Sequence, residues 1–163
     1  MTLEKDFEDF IQLMDKHKVA HMIVGGYALA LHGRPRHTGD LDIWINISDD
    51  NATRLVTVLN DFGMGQLGFQ KEDFLQPGYI TQIGYPPLRI DILNTIDGVS
   101  FEEARAGMQT LQLENNLSIH FIGLADFLKN KQASGRKQDI ADIKEIKELK
   151  EKPKVSRRRG LHP

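Results

Sequence analysis

Asp40-Leu41-Asp42-Ile43-Trp44-Ile45-Asn46-Ile47 is the stretch from which the rest of the chain can be read. A strand has a side-chain period of two, so Leu41, Ile43, Ile45 and Ile47 fall on one face. Asp40, Asp42, Trp44 and Asn46 fall on the other. One face is core. The other brings two carboxylates side by side and can hold a site.

Upstream, residues 19–24 form a short apolar strand that runs into Gly25-Gly26, and residues 27–32 read as an Ala/Leu-rich helix stopped by Gly33. Leu3, Phe7, Phe10, Ile11 and Met14 recur at helical spacing before that strand. The stretch Arg34-Pro35-Arg36-His37-Thr38-Gly39 is a loop by its punctuation.

Downstream, Ser48 predicts the N-cap of a helix whose buried stripe is Ala52, Leu55, Val56, Leu59 and Phe62, closed by Gly63, Gly65 and Gly68. Residues 69–87 carry little pattern beyond a strand at 79–84 and an interruption at Pro86-Pro87. Residues 88–93 alternate again, with Leu88, Ile90 and Ile92 facing one way and Arg89 and Asp91 the other. A helix at 101–108, strands at 111–113 and 118–122, and a helix at 124–134 ended by Gly135 follow. The last helix, residues 139–149, is expected to bury Ile140, Ile143, Ile146 and Leu149.

The chain has 163 residues, 40% hydrophobic and 27% charged, which argues against disordered, collagen-like and membrane classes. One domain over residues 1–150 is expected. No apolar run approaches the roughly 20 residues of a membrane span, and the N-terminus begins an amphipathic stretch, so the expected location is the cytoplasm. With no cysteine, any metal must be held by oxygen or imidazole. The net charge of -2 is uneven. Between Lys144 and Arg159 eight Lys/Arg face three Glu, so residues 151–163 read as a basic tail, either solvated or a contact for nucleic acid or a partner.

Magnesium takes a few carboxylates and completes its shell with water and phosphate oxygens. Asp40 and Asp42 on one strand face, joined by Asp91 from a second strand, supply such a set. Crowded carboxylates raise one another's pKa and destabilise an empty site, so the cluster calls for a cation. An Asp-x-Asp pair also occurs by chance on surface strands. The diglycine adds force, because a strand that enters a helix through two glycines exposes backbone N–H groups where phosphate is favoured.

The string Val24-Gly25-Gly26-Tyr27-Ala28, then Arg36-His37-Thr38-Gly39-Asp40-Leu41-Asp42-Ile43, with Asp91 later in a hydrophobic strand, resembles the nucleotidyltransferase superfamily related to the DNA polymerase beta palm. The segment Lys131-Gln132-Ala133-Ser134-Gly135-Arg136-Lys137-Gln138-Asp139-Ile140-Ala141-Asp142 is similar to the later helical part of small bacterial members, including abortive-infection nucleotidyltransferase toxins. The resemblance implies an α+β fold with a mixed β-sheet core flanked by helices and ending in C-terminal helices. It implies catalytic, metal-binding roles for Asp40, Asp42 and Asp91 with Mg2+ or Mn2+. Gly25, Gly26, Arg36, Thr38, Lys131, Arg136 and Asp139 would bind the NTP substrate. Lys131 also stands out by position, as a cation on a helical stripe with Leu124, Phe127 and Leu128, where it either snorkels or meets triphosphate.

The expected reaction moves a nucleoside monophosphate to a hydroxyl on RNA, protein or a small molecule. The short chain is also similar to minimal members that work with a separate helical or antitoxin partner. Two alternatives stand beside this: a nucleotide-sugar transferase, which would not account for the diglycine and Asp91 together, and a non-catalytic nucleotide-binding or toxin-antitoxin module. Tyr27 and Trp44 either stack on a base or pack. His32, His37 and His120 have no metal-site spacing, and His120 reads as a strand-surface residue.

Overall fold

The computed structural model describes residues 3–33 and 39–151. The elements are α1 (Lys5–Lys16), β1 (His21–Val24), α2 (Gly25–Leu31), β2 (Asp40–Ile45), α3 (Asp49–Leu59), β3 (Ile80–Tyr85), β4 (Leu88–Leu93), α4 (Phe101–Arg105), β5 (Gln109–Gln112), β6 (Ser118–Phe121), α5 (Leu124–Ser134) and α6 (Lys137–Glu151). The six strands form one mixed sheet in the order β3-β4-β2-β1-β6-β5. β2 lies antiparallel to β1 and parallel to β4, so the two acidic strands are neighbours. The fold is α+β, as expected.

Burial follows the alternation that β2 announces. Leu41, Ile43 and Ile45 are fully inside, and Ile90 and Ile92 of β4 join them. The opposite face of β2 changes character along its length. Asp40 and Asp42 are only half-buried, whereas Trp44 is closed over by the Phe101 ring of α4, edge to face at 5.0 Å. Trp44 is therefore a packing residue. Tyr27 likewise meets Phe7 edge-on at 6.0 Å. Of the stripe expected on α1, Leu3, Phe7, Phe10, Ile11 and Met14 are all buried.

Ser48 caps α3 by accepting from Asn51 N–H at 3.1 Å. Asn51 does more. Its buried side chain accepts from Ala20 N–H at 2.7 Å and donates to the carbonyls of Ala20 at 3.1 Å and Asn46 at 2.7 Å. One amide thus ties the start of β1 and the end of β2 to α3. Val58, not Val56, completes the buried stripe of that helix.

Several boundaries differ from expectation; β2, for one, ends at Ile45 and α6 begins at Lys137. α2 begins at Gly25, so the diglycine forms its first turn. β5 starts at Gln109, and α4 ends at Arg105. The larger correction concerns α6. Ile146 is buried, but Ile140 is 52% exposed and Leu149 46%, while Asp139 and Asp142 are inside. The reason is geometric. At 3.6 residues per turn, a strict three-residue spacing drifts about 60° per step, so four such positions spread over half the cylinder and cannot share one face.

Replacing Asn51 with Ala leaves buried backbone groups of Ala20 and Asn46 without partners and should lower unfolding stability by about 2–4 kcal/mol. Urea denaturation measures this, and an unchanged midpoint would contradict the clamp.

Candidate functional site

The register of the parallel pair β2·β4 builds the centre of the site. Asp42 lies opposite Asp91, and Asp40 opposite Arg89. Because directly opposed residues share a sheet face, all four side chains project to the same side. Asp91 is buried although it sits on the polar face of β4. The three acids line one cleft of about 600 Å³, and Lys131, Ser134 and Arg136 line it too.

The diglycine lies against these acids. Val24 pairs with Asp42, which brings the end of β1 beside the acidic strand. Gly25 has φ +67°, and a Cβ there would fall inside the van der Waals shell of the Asp42 Oδ2 atom. Glycine is required twice over, by the backbone and by the closeness of the carboxylate. Gly26 follows within the first turn of α2.

Charge in the cleft is compensated unevenly. Arg89 donates to Asp91 through Nε at 2.7 Å and Nη2 at 3.0 Å, and Nη2 also reaches Asp40 Oδ2 at 2.9 Å. Among the described residues, Arg89 bonds Asp91 and Asp40 but not Asp42, and Asp42 carries the strain. Burial first, then the charges of Asp91 and Asp40, push its carboxyl up to about 7 against the weaker pull of Arg89 and Lys131. Among the described residues no three acidic or imidazole side chains are set as they stand to enclose a metal ion. The donor set nevertheless suits a hard divalent cation, being all oxygen, with one carboxyl whose ionisation awaits added positive charge.

At the other wall, Lys131 is 15% exposed and donates to Asp139 Oδ1 at 3.0 Å, with its Nζ 5.4 Å from the centre of the Phe127 ring. Arg136, 79% exposed, donates from Nε to Asp139 Oδ2 at 3.1 Å. Ser134 Oγ donates to the same carboxylate. Burial raises the Asp139 pKa, but the hydrogen bonds from Ser134 and Lys131 and the charges of Lys131 and Arg136 outweigh it and hold the group below the usual value. Asp139 does not line the cleft. It anchors the two cations that do.

The structure thus brings together Asp40, Asp42, Asp91, Gly25, Lys131 and Arg136, with Gly26 adjoining and Asp139 behind. Arg36 and Thr38 lie outside the described residues, as do Arg34 and His37. His120 is half-buried, held by Thr110 Oγ1 at 2.9 Å and Asp15 Oδ1 at 3.2 Å. Sequence reasoning gave no role to Arg89, although it shares the face of Asp91. It also missed Tyr79, which lines the cleft because Asn94 Oδ1 accepts from Gly78 N–H and Tyr79 N–H, both at 3.0 Å.

This is the nucleotidyltransferase fold. A presumptive nucleotidyltransferase from Thermotoga maritima superposes with a TM-score of 0.55 at 12% identity over 88% of each chain. An antigenic nucleotidyltransferase-like protein from Paracoccidioides brasiliensis gives 0.50 at 20% identity, over 90% of this chain and 78% of that one. No protein-family model and no curated protein matches the sequence.

A carboxyl whose folded pKa is raised destabilises the fold as it ionises, so the cost grows as pH rises from the unfolded value of 3.8 through about 7. Asp42→Asn should therefore be more stable than the parent in metal-free buffer at pH 8, by roughly 1–3 kcal/mol. The advantage should shrink as pH falls towards about 4. Thermal melts across that range provide the check; a variant less stable than the parent at pH 8 would contradict this electrostatics.

Proposed function

We propose that the protein transfers a nucleoside monophosphate from an NTP to a hydroxyl acceptor and releases pyrophosphate. The observation that carries this reading is the opposition of Asp42 and Asp91 on paired strands, with Asp40 beside them and Gly25 against Asp42. Asp40, Asp42 and Asp91 would hold Mg2+ or Mn2+, which when bound lowers the pKa of the attacking hydroxyl and neutralises charge on the leaving pyrophosphate. Lys131 and Arg136, lining the same cleft, would meet triphosphate oxygens. The acceptor oxygen bonds to the α-phosphorus as the bond from that phosphorus to the α,β-bridging oxygen breaks, the electron pair leaves with pyrophosphate, and the acceptor proton passes to the Asp91 carboxylate.

The lateral order of the sheet supports a division of labour. Moving across it, one meets β3, then β4 with Asp91, then β2 with Asp40 and Asp42, then β1 ending at the diglycine. Triphosphate belongs on the glycine side and the acceptor on the side of β3. There a second cleft of about 620 Å³, lined by Leu67, Phe69 and Glu72, shares Tyr79 and Ile80 with the first. An acceptor lying there reaches Asp91 without crossing the nucleotide. RNA, protein and small-molecule acceptors are all open to this geometry.

Asp40→Asn/Asp42→Asn should abolish Mg2+-dependent transfer of label from an α-labelled NTP while the circular dichroism spectrum is kept. Retained transfer would overturn the assignment. Lys131→Met should raise the KM for NTP about tenfold or more, the scale of losing one charge-assisted phosphate contact; an unchanged KM would remove Lys131 from the phosphate site. Growth arrest on expression, relieved by a helical antitoxin partner and lost in the double variant, would add a toxin role to this chemistry.

A further inference from the structure

Arg89 is the one cation hydrogen-bonded directly to the acid cluster among the described residues. It is not placed there by chance of rotamer alone. The register sets it opposite Asp40, and the strand period sets it on the same face as Asp91, two residues on. Its planar fork takes both oxygens of Asp91 and its Nη2 spans to Asp40, so a single guanidinium bridges acids from two strands. These are the oxygens that a divalent ion between the strands would need.

We infer that Arg89 is an internal counter-cation which holds Asp40 and Asp91 in the metal-free protein and must be displaced when a divalent ion loads. The inference rests on the metal-site reading above, and it makes Arg89 a positioning residue, not a catalytic one. Two opposing effects decide its sign. Removing Arg89 loses the fork that orients Asp91, which would weaken metal binding. It also removes a positive charge tethered a few ångströms from the ion, which would strengthen it.

The charge effect dominates. The carboxylates keep their places without Arg89, because backbone pairing fixes Asp42 opposite Asp91 and Gly25 packs on Asp42. An aspartate has only two side-chain torsions to order. A tethered guanidinium, by contrast, repels a doubly charged ion even after its hydrogen bonds break, and at such distances this repulsion is worth about tenfold in affinity even at the dielectric of water. Arg89 therefore trades metal affinity for stability of the empty cluster.

The test is Mn2+ binding without nucleotide, followed by the electron paramagnetic resonance signal of free Mn2+, with thermal melts in chelator and at saturating Mn2+. Arg89→Gln should bind Mn2+ about tenfold more tightly than the parent or better. It should melt lower in chelator and show a larger stabilisation by Mn2+. Arg89→Lys keeps the charge without the fork, should fold if the glutamine variant does not, and should bind Mn2+ no more tightly than the parent. A merely structural arginine would lower the melt without tightening Mn2+. If the parent binds Mn2+ and Arg89→Gln binds it equally or more weakly, the inference falls and the functional reading survives. Binding by Arg89→Gln alone supports the inference. If neither protein binds Mn2+, both the inference and the metal-site reading fall together.

Discussion

Two carboxylates face each other across a parallel strand pair, and the rest of this molecule is arranged around that fact. Asp42 and Asp91 occupy the same rung of β2·β4. Neighbouring strands are roughly 5 Å apart, and at that distance two full charges repel by about 3 kcal/mol at an effective dielectric of about 20. A sequence selected only for stability would place these residues elsewhere. The register holds because both strands bury their other face: slipping β4 by one residue would turn Ile90 and Ile92 outward and Arg89 and Asp91 into the core.

Everything adjoining the pair moderates or uses that repulsion. Arg89 neutralises one end of the cluster and Lys131 pulls weakly on the other. Gly25 leaves room for the Asp42 carboxylate where any side chain would displace it. Asp139, buried at the junction of α5 and α6, has the opposite task of gathering cations at the cleft wall. The site is thus an acidic centre facing a basic wall across one cleft. Asn51 and Asn94 act at a distance, fixing the strand ends and the loop that frames the cleft.

How much of this the sequence disclosed depended on the kind of signal. Period two in β2 and β4 located all three acids, because a strand buried on one face has no freedom to point a side chain elsewhere. The diglycine was legible as the stop of a short apolar run, which is buried throughout in β1. Residues 69–78 were not, since a single turn of 3-10 helix at Lys71–Phe74 has no apolar period to detect, whereas the strand expected at 79–84 is present as Ile80–Tyr85. In α6 an apparent apolar stripe misled. Polar anchoring by Asp139 decides how that helix sits, and a buried carboxylate announces itself only through partners that lie earlier in the chain, Lys131 and Ser134. Arg89 lay in plain view on the right face; what the sequence lacked was the register that sets it against Asp40.

In the proposed site, Asp40, Asp42 and Asp91 gather a divalent cation beneath the Gly25 turn. Fe2+ substituted for Mg2+ generates hydroxyl radicals that cut the backbone only within a few ångströms of the ion, and mapping those cuts by mass spectrometry tests the claim most directly. Cuts are expected to cluster around Gly25, around Asp40 to Asp42 and around Asp91 in the same sample, all suppressed by excess Mg2+. Cuts confined to other segments, or around only one of these strands, would contradict it.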